Sequence, residues 1–110
     1  MKPKYLFICS KNEWRSRTAE TIFRNDSRFQ VKSAGTSQTA RIRVSERLLL
    51  WADVIFVMED HHKKRLQERF AKAIADKEMI VLDIPDEYPY MNKELIAELK
   101  DTIQYYINET

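Results

Sequence analysis

Residues Ile8–Glu20 read ICSKNEWRSRTAE, and they hold the chain's one cysteine, Cys9, with Arg15 six positions further on. Just upstream, Lys4 to Ile8 is a short apolar run of strand formers, preceded by Pro3 and followed by polar Ser10 to Glu13. That is the pattern of a buried strand running into a loop. From Ser16 the apolar residues Ala19, Ile22 and Phe23 recur at helical spacing among charges, and the pattern ends near Asn25 and Asp26. A loop curled between such a strand and helix turns its backbone N–H groups toward one point at the helix N-terminus, where the helix dipole is also positive. That point suits a phosphate-like dianion. A cysteine beside it has its thiolate stabilised by the same donors, and an arginine at the helix start can grip two oxygens of a bound group with its planar fork. Spacing alone leaves a second reading open, in which Cys9 is an inert, small core residue at the end of a strand.

Working outward, Phe29 to Ala34 is expected as a second strand, stopped by Gly35, the only glycine, whose freedom at positive φ suits a sharp exit. Val44 to Trp51 reads as a short helix leading into Val54 to Met58, an apolar strand buried on both faces between Asp53 and Glu59. His61 to Ala75 carries Leu66, Phe70, Ala73 and Ile74 on a helical stripe, and Met79 to Leu82 is a fourth strand, with Pro85 and Pro89 marking the loop after it. Asn92 is the expected N-cap of a helix to Asn108 that carries Leu95, Ile96, Leu99, Ile103 and Ile107 on one face. Four short strands alternating with helices predict an α/β fold: a four-stranded parallel sheet with helices on both faces, a flavodoxin-like three-layer sandwich. In such sheets ligands bind beyond the carboxyl ends of the strands, the edge at which the Cys9 loop leaves.

At 110 residues, 44% hydrophobic and 33% charged, the chain is expected to be one domain spanning residues 1–110. The run YLFIC is too short for a signal-peptide core or a membrane span, so a soluble, cytoplasmic protein without membrane partners is expected. A lone cysteine makes no internal disulfide and no four-ligand zinc site, and the adjacent His61 and His62, beside Glu59 and Asp60, lack the spacing of ligands on one helical face. No metal and no cofactor are expected. Nineteen basic against 17 acidic residues give +2, a mixed surface that argues against a nucleic-acid partner. Basic residues do cluster at Arg41, Arg43 and Arg47, and at Lys63, Lys64, Arg65 and Arg69, the latter read as a solvated helix face.

The segment ICSKNEWRS resembles the phosphate-binding loop of the low-molecular-weight protein tyrosine phosphatases, whose pattern is Cys, any residue, Gly, Asn, Ile, Cys, Arg, Ser. Three further segments resemble the family in order: VKSAGT its second strand and turn, WADVIFVMEDHHKKRL its later strand and helix, and VLDIPDEY the loop that supplies its acid. The resemblance implies a metal-independent phosphatase acting through a cysteinyl-phosphate. Cys9 is then the nucleophile, Arg15 the oxyanion clamp and Ser16 the thiolate's partner, while Asn12 braces the loop. Ser10, Lys11, Asn12, Glu13, Trp14, Arg15 and Ser16 together form the phosphate cradle. Asp86 aligns with the family's general acid, with Asp83 and Glu87 as rivals. The implied partner is a phosphorylated substrate, a phosphotyrosine protein or a small aryl phosphate.

Several positions depart from the family's pattern. Lys11 replaces the loop glycine, Glu13 an isoleucine, Trp14 the second loop cysteine and Glu87 the proline after the acid. With one thiol, the chain also lacks the cysteines that arsenate reductases of this fold require. The stretch after Thr36 is short, leaving out the family's aromatic wall, so a shallower pocket is expected, rimmed by Trp14, Tyr88 and Tyr90, with Arg41 and Arg43 either near its mouth or solvated. Three alternatives stay open: a phosphatase for nucleotide or RNA phosphate ends, a weakly active phosphate-binding regulator, and a cysteine phosphocarrier.

Overall fold

The computed structural model describes residues 2–109. Its elements run β1 (Lys4–Cys9), α1 (Arg15–Phe23), β2 (Gln30–Gly35), α2 (Glu46–Trp51), β3 (Val54–Val57), α3 (Asp60–Arg69), α4 (Ala71–Ile74), β4 (Glu78–Val81) and α5 (Lys93–Glu109). The strands form one parallel sheet in the order β2-β1-β3-β4. β1 and β3 occupy the middle, which is why YLFIC and VIFV are unbroken apolar runs: a central parallel strand is covered on both faces. Side chains alternate across the sheet. Tyr5, Phe7 and Cys9, with Val54, Phe56 and Met58, face a core shared with Ala19 and Phe23 of α1 and Leu95, Leu99 and Ile103 of α5. Leu6, Ile8, Ile55 and Val57 face the opposite core, against Leu49 of α2, Leu66 of α3 and Ala73 and Ile74 of α4. The predicted parallel sheet with a helical layer on each side is therefore observed.

Local signals behave as their chemistry requires at two caps. Asn92 Oδ1 accepts from the backbone of Glu94 at 2.9 Å and Leu95 at 3.1 Å, starting α5. Ser45 Oγ accepts from Leu48 N at 3.2 Å, so α2 begins after it, later than the Val44 expected from pattern. The helix expected over His61 to Ala75 is two helices, because Phe70 leaves helical geometry at φ −134°, ψ 35°. Its N–H still closes α3 on Leu66 O at 2.8 Å, and the break redirects α4 so that Ala73 and Ile74 reach the core.

Gly35 also differs from expectation, since its φ is not positive. A Cβ there would sit 2.4 Å from Ser10 O, 2.7 Å from Ala40 Cβ and 3.0 Å from Lys11 C. The glycine serves close approach: β2 ends pressed against the Cys9 loop. Positive φ falls instead on Asn12, Asp83 and Met91. Among the described residues, no helix is long and apolar enough to cross a membrane.

Candidate active site

β1 delivers Cys9 to the carboxyl edge of the sheet, and α1 begins at Arg15. Between them the carbonyls of Cys9, Ser10 and Lys11 accept from the backbone of Thr36 (3.0 Å), Ser37 (2.9 Å) and Arg41 (2.9 Å) in the neighbouring turn. In a trans peptide the N–H points opposite to the C=O, so the amides of Ser10, Lys11 and Asn12 are aimed the other way, into the ring. Asn12 N–H accordingly donates to Cys9 Sγ at 3.3 Å. The loop is a concave set of donors around the sulfur, and the turn that follows β2 braces it from outside.

Behind the loop runs a buried polar chain. Asn12 sits in the left-handed region at φ 58° and donates through Nδ2 to Ser16 Oγ at 2.7 Å and Ser33 Oγ at 2.9 Å. Ser33 in turn donates to the Glu20 carboxylate. Ser16 Oγ, with one proton of its own, lies 2.9 Å from Cys9 Sγ and 3.3 Å from Ala34 O. Because Asn12 supplies N–H in both directions, each serine hydroxyl is left to donate elsewhere, Ser33 to a carboxylate and Ser16 to the Ala34 carbonyl or, when Cys9 is a thiolate, to the nearer and charged sulfur. Ser16 and Asn12 thus stand in the positions anticipated for a thiolate partner and a loop brace; Ser33 and Glu20 were not legible, because nothing in the sequence shows that β2 and α1 meet there.

Arg15 is buried although charged, at 2% exposure. Its guanidinium donates to Glu59 and, at 2.8 Å, to Ile84 O, and its Nε lies 3.6 Å from Asp86 Oδ1. Partial burial pushes the Glu59 carboxyl up, but the hydrogen bond and charge of Arg15, with His61, outweigh it and hold Glu59 below its ordinary value. Glu59 also caps α3 reciprocally with His62: its side chain accepts from the His62 backbone, and its own N–H donates to His62 Nδ1 at 3.1 Å. His62 Nε2 lies 2.9 Å from Ser10 Oγ. Burial, then the neighbouring His61 and Arg15, push the His62 pKa down to about 3. The adjacent histidines therefore diverge, His61 exposed and His62 fully buried. Ligand atoms of Glu59, His61 and His62 lie within 4.8 Å of one another, but Glu59 is committed to Arg15 and both ring nitrogens of His62 to hydrogen bonds. That set is a structural lock and does not fit a metal ion.

The result is a cavity of about 130 Å³ lined by Cys9, Ser10, Lys11, Glu13, Trp14, Arg15 and Asp86. No family model and no curated protein sequence matches the chain. Solved structures do. A low-molecular-weight protein tyrosine phosphatase from T. tengcongensis superposes with a TM-score of 0.78 at 22% identity, covering 99% of this chain and 100% of that one. Wzb of Vibrio vulnificus, in complex with benzylphosphonate, gives 0.77 at 19% identity over 100% of both chains. The YwlE arginine phosphatase of Geobacillus stearothermophilus gives 0.75 at 20% identity, covering 97% of this chain and 94% of that one. This chain has the low-molecular-weight protein tyrosine phosphatase fold.

Within that fold, the chain's departures have specific placements. Lys11 contributes to the cavity wall, but its ammonium is tied to Thr39 Oγ1 at 2.5 Å. Arg41 donates to Asn12 O at 3.0 Å and approaches Glu20 at 4.0 Å, bracing the loop from outside instead of guarding its mouth. Of the three expected rim aromatics only Trp14 lines the cavity. Tyr88 packs against the α1–α5 core, and Tyr90 is held on α1 by Thr21 Oγ1 at 2.9 Å and by the Arg17 guanidinium over its ring. Of the candidate acids, Asp86 lies in the cavity, Asp83 lines a separate cleft with Glu59, Asp60, His61 and Pro85, and Glu87 is exposed.

Proposed function

We propose that this chain is a metal-independent phosphatase that uses Cys9 as nucleophile on a phosphate monoester. The observation that supports it is the convergence, in one small cavity, of a thiol within reach of inward-facing amides, a buried arginine and the carboxyl group of Asp86 beside that arginine. Cys9 Sγ attacks phosphorus as the bond to the leaving oxygen breaks, and Asp86 gives that oxygen its proton. Water then attacks the cysteinyl-phosphate, Asp86 takes its proton, and the sulfur departs as thiolate, stabilised by the Ser16 hydroxyl 2.9 Å away. Arg15 holds two oxygens of the transferred group through both steps. Trp14 offers one flat apolar wall, which suits aryl phosphates, phosphotyrosine among them.

A second reading of the substrate rests on Glu13. Its carboxyl shares the cavity wall with Asp86, which favours a cationic leaving group, and one protein with the same fold is an arginine phosphatase. The test is hydrolysis of a chromogenic aryl phosphate without metal by the native protein, Cys9→Ser and Asp86→Ala, followed by phosphotyrosine peptide, phosphoarginine peptide and a nucleoside monophosphate side by side. Complete loss with Cys9→Ser and a fall of about 10²- to 10⁴-fold with Asp86→Ala are expected. A native protein that binds phosphate without turnover, or that accumulates a stable phosphocysteine, would replace this reading with a binding module or a carrier.

A further inference from the structure

The first turn of α3 holds both ends of the phosphate loop. Glu59 takes Arg15, His62 takes Ser10, and the two are locked to each other by reciprocal capping. The direction of the Ser10–His62 bond follows from that lock. His62 Nδ1 is already an acceptor, for Glu59 N–H at 3.1 Å. The ring is fully buried and is kept neutral by burial and by the neighbouring positive charges, so its single proton resides on Nε2. Nε2 therefore donates to Ser10 Oγ, and Ser10 must direct its own proton elsewhere. Among the described residues no acceptor for that proton stands within hydrogen-bonding distance, and Ser10 lines the cavity beside Cys9.

We propose that His62 is a positioning residue for the phosphoryl group: by donating to Ser10 Oγ it fixes the Ser10 hydroxyl as a donor into the Cys9 cavity, toward an oxygen of the bound dianion. Ser10 is then a binding residue through its side chain, beyond the backbone amide that any residue supplies at that place. The proposal rests on the cavity being a phosphate site, as the phosphatase reading requires. It adds that a histidine outside the cavity controls affinity there through one hydroxyl group.

Phosphate binding separates this inference from turnover. The probe is inorganic phosphate, and its dissociation constant is read from the protection it gives Cys9 against alkylation by iodoacetamide, for the native protein, Ser10→Ala, His62→Asn and the double variant. Asparagine at position 62 can still accept from Glu59 N–H, as a capping side chain does, but is too short to reach Ser10. Thermal unfolding of each variant monitors the fold. Because Ser10→Ala removes a hydrogen bond to a charged group, it should weaken phosphate binding about tenfold, whereas His62→Asn, which leaves that hydroxyl in place but no longer fixed, should weaken binding by a smaller factor. The double variant should bind no more weakly than Ser10→Ala alone, because His62 acts only through that hydroxyl. Unchanged binding in Ser10→Ala would overturn the proposal, as would a further loss on adding His62→Asn to it. If His62→Asn fails to fold, Ser10→Ala alone decides. Phosphate binding with the predicted pattern but no hydrolysis would sink only the phosphatase reading; hydrolysis retained with Ser10→Ala at native affinity would sink only this one; absence of phosphate protection in the native protein would overturn both.

Discussion

The hydroxyl of Ser16 illustrates how much at this site depends on the direction of single hydrogen bonds. Asn12 Nδ2 occupies an acceptor site on Ser16 Oγ at 2.7 Å, which leaves the serine proton to Ala34 O at 3.3 Å or Cys9 Sγ at 2.9 Å, and a thiolate, nearer and charged, is the stronger acceptor. In the proposed reaction a donor to sulfur matters most when the sulfur leaves, in hydrolysis of the phosphocysteine. Ser16→Ala should therefore slow the second step more than the first. Loss of a hydrogen bond to a developing thiolate implies a fall in steady-state rate of about 10- to 100-fold, with a burst of phenol equal to the enzyme present. Rapid-mix kinetics would show that burst, and a variant slowed equally in burst and steady state would remove Ser16 from the role. The lone thiol has a second consequence. With Trp14 where the family's loop has another cysteine, a sulfenic acid on Cys9 finds no partner in the chain to form a disulfide and is open to further oxidation. Peroxide should yield the sulfinic acid by mass spectrometry and a loss of activity that dithiothreitol restores only in part. Saturating phosphate should protect; full recovery at high peroxide would contradict the argument.

At the scale of elements, the site is a contact between the ends of β1, β2 and β3. Gly35 is the tightest point of it. A methyl group at that Cα meets a backbone carbonyl at 2.4 Å, and backbone cannot rotate away as a side chain would. Gly35→Ala should cost about 1–3 kcal/mol by overpacking. The loop would have to move with Ser10 O, so phosphate affinity should fall as well; urea midpoints with Cys9 protection would show both, and a fully stable variant would mean that β2 and the loop can separate freely. The sequence announced Gly35 as a strand terminator but not why, since close approach involves residues distant in sequence whereas positive φ is guessed from the residue alone. The same limit applies elsewhere. Periodicity was sufficient for the β1–α1 unit and for α5, whose apolar residues recur on one face. It did not show the break at Phe70, which no glycine or proline marks, because that break is imposed by where the core lies. Tyr88 and Tyr90 were misplaced for a related reason: aromatic residues near an acid suit a rim or a helix contact equally, and only the packing of α1 and α5 decides.

Across the whole molecule, the strand order β2-β1-β3-β4 gathers on one edge the ends of strands far apart in sequence: Cys9, Gly35, Glu59 after β3 and Asp86 after β4. The alternation of strands and helices made that edge legible, and the motif put Cys9, Arg15 and Asp86 on it. What stayed hidden was the polar lock of Glu59 and His62, because adjacent histidines in a charged segment look alike until one is buried. That burial ties global stability to pH. The His62 pKa in the folded protein is about 3, against an ordinary value of 6.5 in the unfolded chain. Above pH 6.5 neither state binds the proton, so stability is full; as pH falls below 6.5 the unfolded chain gains a proton that the folded chain refuses, and stability declines. The Glu59 carboxyl, held low by Arg15, adds its own loss only below its ordinary value of 4.5. Between pH 7 and pH 5 the histidine therefore acts almost alone, and one proton over that window corresponds to a loss of about 2 kcal/mol. Urea unfolding at the two pH values should show that loss in the native protein and much less of it in His62→Asn, which has no ring to protonate. An equal decline in both would mean that the histidine titrates normally in the folded state, and with it would go the neutral ring that fixes the direction of the Ser10 hydrogen bond.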